Sequence, residues 1–204
     1  MAAGRTGGKP TFTEQARRRQ LIEATIEVIS ARGYGGASLS AIAEHAGVSK
    51  AAVLYHFGSK DDLAEATLAH VFDRFGEHVG QRVAEASGAR ARLVAYVRGM
   101  VGYQHRHRTH VRLITEVLLD DRGGTRFRQP GQHDRNQRWQ MLAGLLAAGQ
   151  AEGVFRDFDT KTTALAIGGA IDGVVSQWLA DPGLDLDAAA GDLEAFVLAA
   201  VEAR

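Results

Sequence analysis

The chain has 204 residues and balances 24 Lys and Arg against 24 Asp and Glu, so its formal net charge is zero. The absence of cysteine excludes disulfides, thiolate catalysis and Cys-based zinc sites. A hydrophobic share of 45% with 24% charged residues is the ordinary mix of a soluble globular protein, and residues Met1 to Thr11 carry Arg5 and Lys9 but no apolar run that would read as a signal peptide or anchor.

Helical periodicity runs the whole length of the chain. A first helix is expected over about 13–32, with Leu21, Ile22, Thr25, Ile26 and Ile29 on one side; Gly33 ends it and Gly35-Gly36 make a loop. Ser38 caps a second helix whose Leu39, Ile42, Ala43 and Ala46 form an apolar stripe. Gly47 supplies the left-handed turn, Val48 plugs the space between helices, and Ser49 caps a third helix. This third helix buries Ala52, Val53 and Phe57 and points Lys50, Ala51, Leu54 and Tyr55 outward. Two short helices joined in this way form a helix-turn-helix, whose second helix is shaped for the major groove of DNA.

Ser59 or Lys60 then opens a fourth helix to about Ala86, with Asp61 and Asp62 in its first turn, where negative charge suits the helix dipole. A fifth follows over about 89–107 and a sixth from Thr109 to Asp120, stopped by Asp121 to Gly124; Pro130-Gly131 belong to the next loop. A seventh covers about 132–152, an eighth about 160–180 and a ninth about 187–203, with Asp181-Pro182-Gly183 as a strong stop between the last two. No alternating run suggests a sheet. The expectation is an all-α protein of about nine helices, with residues 1–60 as a DNA-binding head and 61–204 as a helical body. Thr162 to Ala180 is long enough for a membrane span, but Asp172, Gln177 and three glycines interrupt it, so no membrane partner and a cytoplasmic location are expected.

Charge follows the same division. Residues 1–60 hold eight Lys and Arg against four Glu, or +4, and the remainder carries −4. A basic head on an acidic body suits a protein that holds a polyanion at one end.

The run Arg32-Gly33-Tyr34, Ser38-Leu39, Ile42 to Lys50 and Tyr55 to Leu63 resembles the DNA-binding head of the TetR/AcrR family of transcriptional repressors. Ile171-Asp172-Gly173 and Gln177 to Pro182 resemble, less specifically, the penultimate helix of that family. The resemblance implies a homodimer that binds a double-stranded operator, a body that receives a small-molecule effector, and an interface made by the last two helices. It assigns phosphate contacts to Ser38, Tyr55, His56 and Lys60, capping to Ser49, and base contacts to Lys50 and Ala51. Leu54 stands where the family usually has tyrosine, so a hydroxyl contact is lost there and Leu54 is left either to touch a thymine methyl or simply to pack. Ile167, Ile171, Val174, Val175, Trp178, Phe196, Val197 and Ala200 are expected at the dimer interface.

Polar or aromatic groups on apolar faces nominate Phe75, Met100, Tyr103, Glu116, Trp139, Asp172 and Gln177 for the effector pocket, each with core packing or helix-end solvation as the plainer alternative. Asp172 stands out because a mid-helix carboxylate in an apolar stripe needs a partner. His105, His107 and His110, with His133, raise a metal, but His105 and His107 point to different faces and alternate with arginines, so no metal or other cofactor is expected; a solvated helix-loop junction is the leading reading, with a ligand or phosphate-type anion contact as the alternative. No phosphate loop, dinucleotide fingerprint or Ser-His-Asp arrangement suggests an enzyme. The leading function is a repressor released from a palindromic operator by its effector; an activator and a ligand-sequestering helical protein are the alternatives.

Overall fold

A computed structural model describes residues 11–120 and 130–203, and at residues 119 and 130–138 only the helical backbone. Arg5, Lys9 and the Asp121 to Gly124 stop lie outside the described residues, as does the side chain of His133. The described residues are almost wholly helical: α1 (Phe12–Gly36), α2 (Leu39–His45), α3 (Lys50–Phe57), α4 (Lys60–Glu85), α5 (Ala89–Arg106), α6 (Arg108–Asp120), α7 (Pro130–Ala151), α8 (Thr160–Ala180) and α9 (Leu186–Val201). Among them the only β pairing is an isolated antiparallel bridge between Phe155 and Glu202.

Ser38 and Ser49 cap α2 and α3 as expected, Thr11, Asp159 and Asp185 cap α1, α8 and α9 without having been singled out, and two boundaries differ from expectation. Backbone turns continue past Gly33, which adopts φ 70° and breaks the helix there, so Tyr34 to Gly36 add a turn rather than an open loop. Pro130 opens α7 instead of lying in the preceding loop, at a position where its missing N–H costs nothing.

Contacts divide the described residues into two units. The first comprises residues 11–67 with 112–120; the second comprises 68–111 with 130–203. In the first, α2 packs on α1 and α3, and Leu21, Ile26, Ile29, Ile42 and Val53 are sealed from solvent. Its buried Thr25 and Thr67 hydroxyls donate to carbonyls one turn earlier, both at 2.7 Å, so neither leaves an unpaired polar group.

In the second unit, α5 packs on α7, α8 and α9, and α8 also packs on α7 and α9. Leu93, Val97, Met100, Leu142, Leu146, Ile171 and Val201 form its core. Helix α8 meets the length and composition of a membrane span, but three helices of its own chain cover its apolar side. Gly149 is required by close approach: a Cβ there would lie 2.0 Å from the Phe155 ring, which folds back against α7.

Candidate DNA-binding surface and effector site

Ser49 closes the N-terminus of α3 by accepting the Ala52 N–H at 3.1 Å, and Ser38 does the same for α2 through the Ala41 N–H, also at 3.1 Å. Between them Gly47 takes φ 65°, which a side chain would resist, and brings α3 onto α2. Val53 and Phe57 face inward, so the opposite side of α3 is left to solvent: Lys50 and Ala51 are exposed, Leu54 is 39% exposed and Tyr55 66%. The seat of this helix is fixed from α1. Arg18 lies 4.1 Å from the Phe57 ring centroid and donates to the His56 carbonyl, while Gln20 Nε2 donates to the Ala46 carbonyl at 2.8 Å. Arg18 of α1 is therefore a positioning residue for α3.

Of the residues nominated for DNA, Ser38, Ser49, Lys50, Ala51, Leu54 and Tyr55 stand on the exposed side, and His56 is half-buried beside Tyr55. Lys60 is drawn back: its ammonium sits 4.0 Å from the Tyr34 ring centroid and donates to the Tyr34 carbonyl. In the free protein it braces α4 against the end of α1, so meeting a phosphate would require that contact to be exchanged.

The effector nominations divide between the two units. Phe75, Met100 and Tyr103 are buried in the second unit, and the Phe75 and Tyr103 rings stack at 4.5 Å with 9° between planes. Around Tyr103 gather His107 at 4.3 Å, His78 at 5.4 Å and His110 at 5.9 Å between ring centroids, with the Tyr103 hydroxyl 2.9 Å from His110 Nδ1. Burial first, then the positive fields of His107, His70 and Arg74, lower His110 to about 4, so its ring is neutral near pH 7. His107 and His78 shift downward for the same leading reason.

Asp172 and Gln177 do not join this group. They lie on the exposed side of α8, because Ile167, Ile171, Val175 and Trp178 claim the side turned to the core. Glu116 belongs with the first unit, its carboxylate against Gly33 at the break in α1. Trp139 is half-buried with the Lys161 ammonium 5.2 Å from its ring centroid.

The histidines nominated for metal separate as well. His105 turns to Asp187 at 3.4 Å and to the edge of Trp178, whereas His107 and His110 stack on each other. Among the described residues no group of three or more His, Cys, Asp or Glu is arranged to hold a metal.

The expected interface also needs correction. Ile167, Ile171, Val175, Trp178 and Val197 are buried within the chain's own core, and Val174 and Ala200 are partly buried against it. Only Phe196 of that set stands exposed, at 62%; Leu165, at 51%, shares that condition and was missed. Arg108 was missed too. Its guanidinium lies over Trp178 at 4.9 Å and donates to the Leu179 carbonyl at 3.3 Å, but its buried Nε–H has no acceptor.

Residues 21–67 match the tetR family of bacterial regulatory proteins, and residues 86–201 match the tetracyclin repressor-like C-terminal domain. The chain belongs to the TetR family. TetR-family members are DNA-binding regulators rather than enzymes, as the sequence led us to expect. The HTH-type transcriptional regulator BetI of Burkholderia thailandensis is 40% identical over 84 residues, which cover 41% of this chain and 43% of that relative. The match thus spans less than half the length of the curated relatives. A transcriptional regulator from Saccharomonospora viridis, solved in complex with choline, superposes with TM-score 0.84 at 26% identity over 93% of this chain and all of that one. Bacillus subtilis FadR, solved with stearoyl-CoA, shares the TetR-family fold at TM-score 0.79 and 22% identity, covering 88% of this chain and 97% of FadR.

Proposed function

We propose that this TetR-family protein is a cytoplasmic homodimeric repressor that holds a palindromic operator through α3 and lets it go when a small molecule enters the body. The observation that carries this reading is the two-sidedness of α3: Val53 is fully buried while Lys50, Ala51, Leu54 and Tyr55 stand free on a capped helix. Lys50 reaches guanine O6 and N7, Ala51 and Leu54 meet thymine methyls, and Ser38, Tyr55 and His56 take phosphates. Two copies place their α3 helices about 34–36 Å apart, one turn of duplex.

The exposed sides of α8 and α9 support a self-complementary interface, on the opposite faces from those the apolar periodicity marks. Leu165 and Phe196 supply apolar mass there, and Ala166, Gly169, Gly173, Ala195 and Ala199 leave room for a close approach. Glu at Leu165 and Phe196 together is expected to yield a monomer by sedimentation.

For the effector, the unpaired Arg108 Nε–H beneath Trp178 favours a molecule that offers an acceptor oxygen. The cations Arg74, Arg82 and Arg106 near the Tyr103 rings oppose a quaternary ammonium such as the choline held by the Saccharomonospora protein. The effector acts only if it binds the DNA-free form better. Selection from random duplexes tests the main reading: enrichment of a palindrome, bound with steep loss on adding salt, is expected. Failure to enrich any duplex overturns it.

A further inference from the structure

His70, Arg74, His78 and Arg82 recur four apart along α4, a spacing that brings them to one side of the helix. Near one end of this stripe, two arginines meet. Arg82 Nε donates to His78 Nε2 at 3.1 Å, and Arg106 of α5 approaches the same nitrogen at 2.9 Å. Two glycines of α5 seat them: the Arg82 stem runs across Gly99, and the Arg106 guanidinium folds over Gly102.

Two other arginines of α5 provide a contrast. Arg90 pairs with Glu202 at 2.6 Å and Arg98 with Glu194 at 2.5 Å, each taking a carboxylate of its own, while Arg92 donates to the Ala86 carbonyl at 3.3 Å. Among the described residues Arg82 and Arg106 form no ion pair, although Asp73, Glu77 and Glu85 lie on the same α4; they share a single imidazole lone pair. One neutral acceptor cannot balance two guanidinium ions, and both arginines are solvent-exposed, with more N–H groups than one imidazole can accept from. His107 and Arg74 add to the same positive field, and these charges, after burial, depress His78 and His107 as proton acceptors.

We propose that Arg82 and Arg106, gathered on His78 between α4 and α5, form a binding site for a phosphate group. A phosphate dianion offers oxygens to both guanidinium forks and cancels the charge that His78 leaves uncompensated. Released from its role as shared acceptor, His78 takes up a proton and becomes a third donor to the anion. This site does not depend on the operator reading; it is a property of the body whatever the head binds.

Calorimetry on the full chain in a chloride medium of constant ionic strength provides the test, with inorganic phosphate, glycerol 3-phosphate and acetate as titrants. Saturable heat is expected with both phosphates and none with acetate. Arg82→Gln and Arg106→Gln should each weaken phosphate binding by about tenfold or more, since each removes a charged fork, while Arg90→Gln leaves it unchanged. The His78 ring resonances should titrate at higher pH when phosphate is bound, a response that a merely structural role would not produce. Tighter binding of glycerol 3-phosphate marks an organic carrier, and equal binding marks the free ion. Acetate binding as well as phosphate, no saturable heat, or undiminished affinity in both arginine variants overturns the site. Operator binding by the same variants, expected to persist, separates its failure from failure of the regulator reading.

Discussion

Helices α3 and α8 are both amphipathic, yet the residue pattern yields a working surface for one and not for the other. In α3 the apolar residues Val53 and Phe57 are few and lie on one side, so burying them leaves a unique free face. Helix α8 is apolar or small nearly all round. Its large residues Ile167, Ile171, Val175 and Trp178 are spent on the chain's own core, and its exposed side mixes Leu165 and small residues with Asp172 and Gln177. Periodicity finds the side that is buried first. It says nothing of a second burial.

The sharpest way to break this contrast is to remove what holds α3 in place. Phe57→Ala deletes the ring on which Arg18 rests and is expected to cost about 3–5 kcal/mol in denaturant unfolding, with loss of operator binding. If α3 kept its function without that ring, its free face would not be set by its buried one. In the body, Gly149→Ala drives a methyl into Phe155 and should destabilise by about 1–3 kcal/mol while leaving operator affinity in the folded protein unchanged. An unchanged melting temperature would show that the turn after α7 is not packed as described.

Lys50→Ala inverts the pattern: specific operator binding weakens by about 1–3 kcal/mol with no effect on unfolding. Ser49→Ala touches both properties, costing about 1 kcal/mol through the lost cap. A further expected effect is one of pH. The native state holds His110 at about 4, below its ordinary 6.5, so the unfolded chain binds the extra proton between those values. That contribution to stability is present above pH 6.5 and fades as pH falls toward 4. His110→Asn should flatten this part of the melting profile, and an identical profile in the variant would mean that the ring is not held neutral.

Much of the head was legible because its roles are local. Ser38, Gly47 and Ser49 act on atoms within three residues of themselves, and Lys50 to Tyr55 share a helix too short to have more than two sides. Lys60 is the exception, since its partner Tyr34 lies on another helix. In the body the reverse holds. Asp172 looked buried because the residues about it are apolar, yet it is exposed, and Glu116 lies against Gly33 rather than beside Tyr103.

From the order of its residues alone, this protein is all-α, breaks at Gly33, turns at Gly47, and carries a Ser49-capped helix with one exposed side. Those properties depend on contacts within one or two turns, which spacing encodes directly. Only the tertiary structure decided that Arg82 and Arg106 share His78, that the Arg108 Nε–H stays unpaired, and that Leu165 and Phe196 rather than Ile171 and Val197 remain uncovered. Each of those outcomes depends on which helix lies beside which, and a helix with more than one apolar face can satisfy its own periodicity against several neighbours.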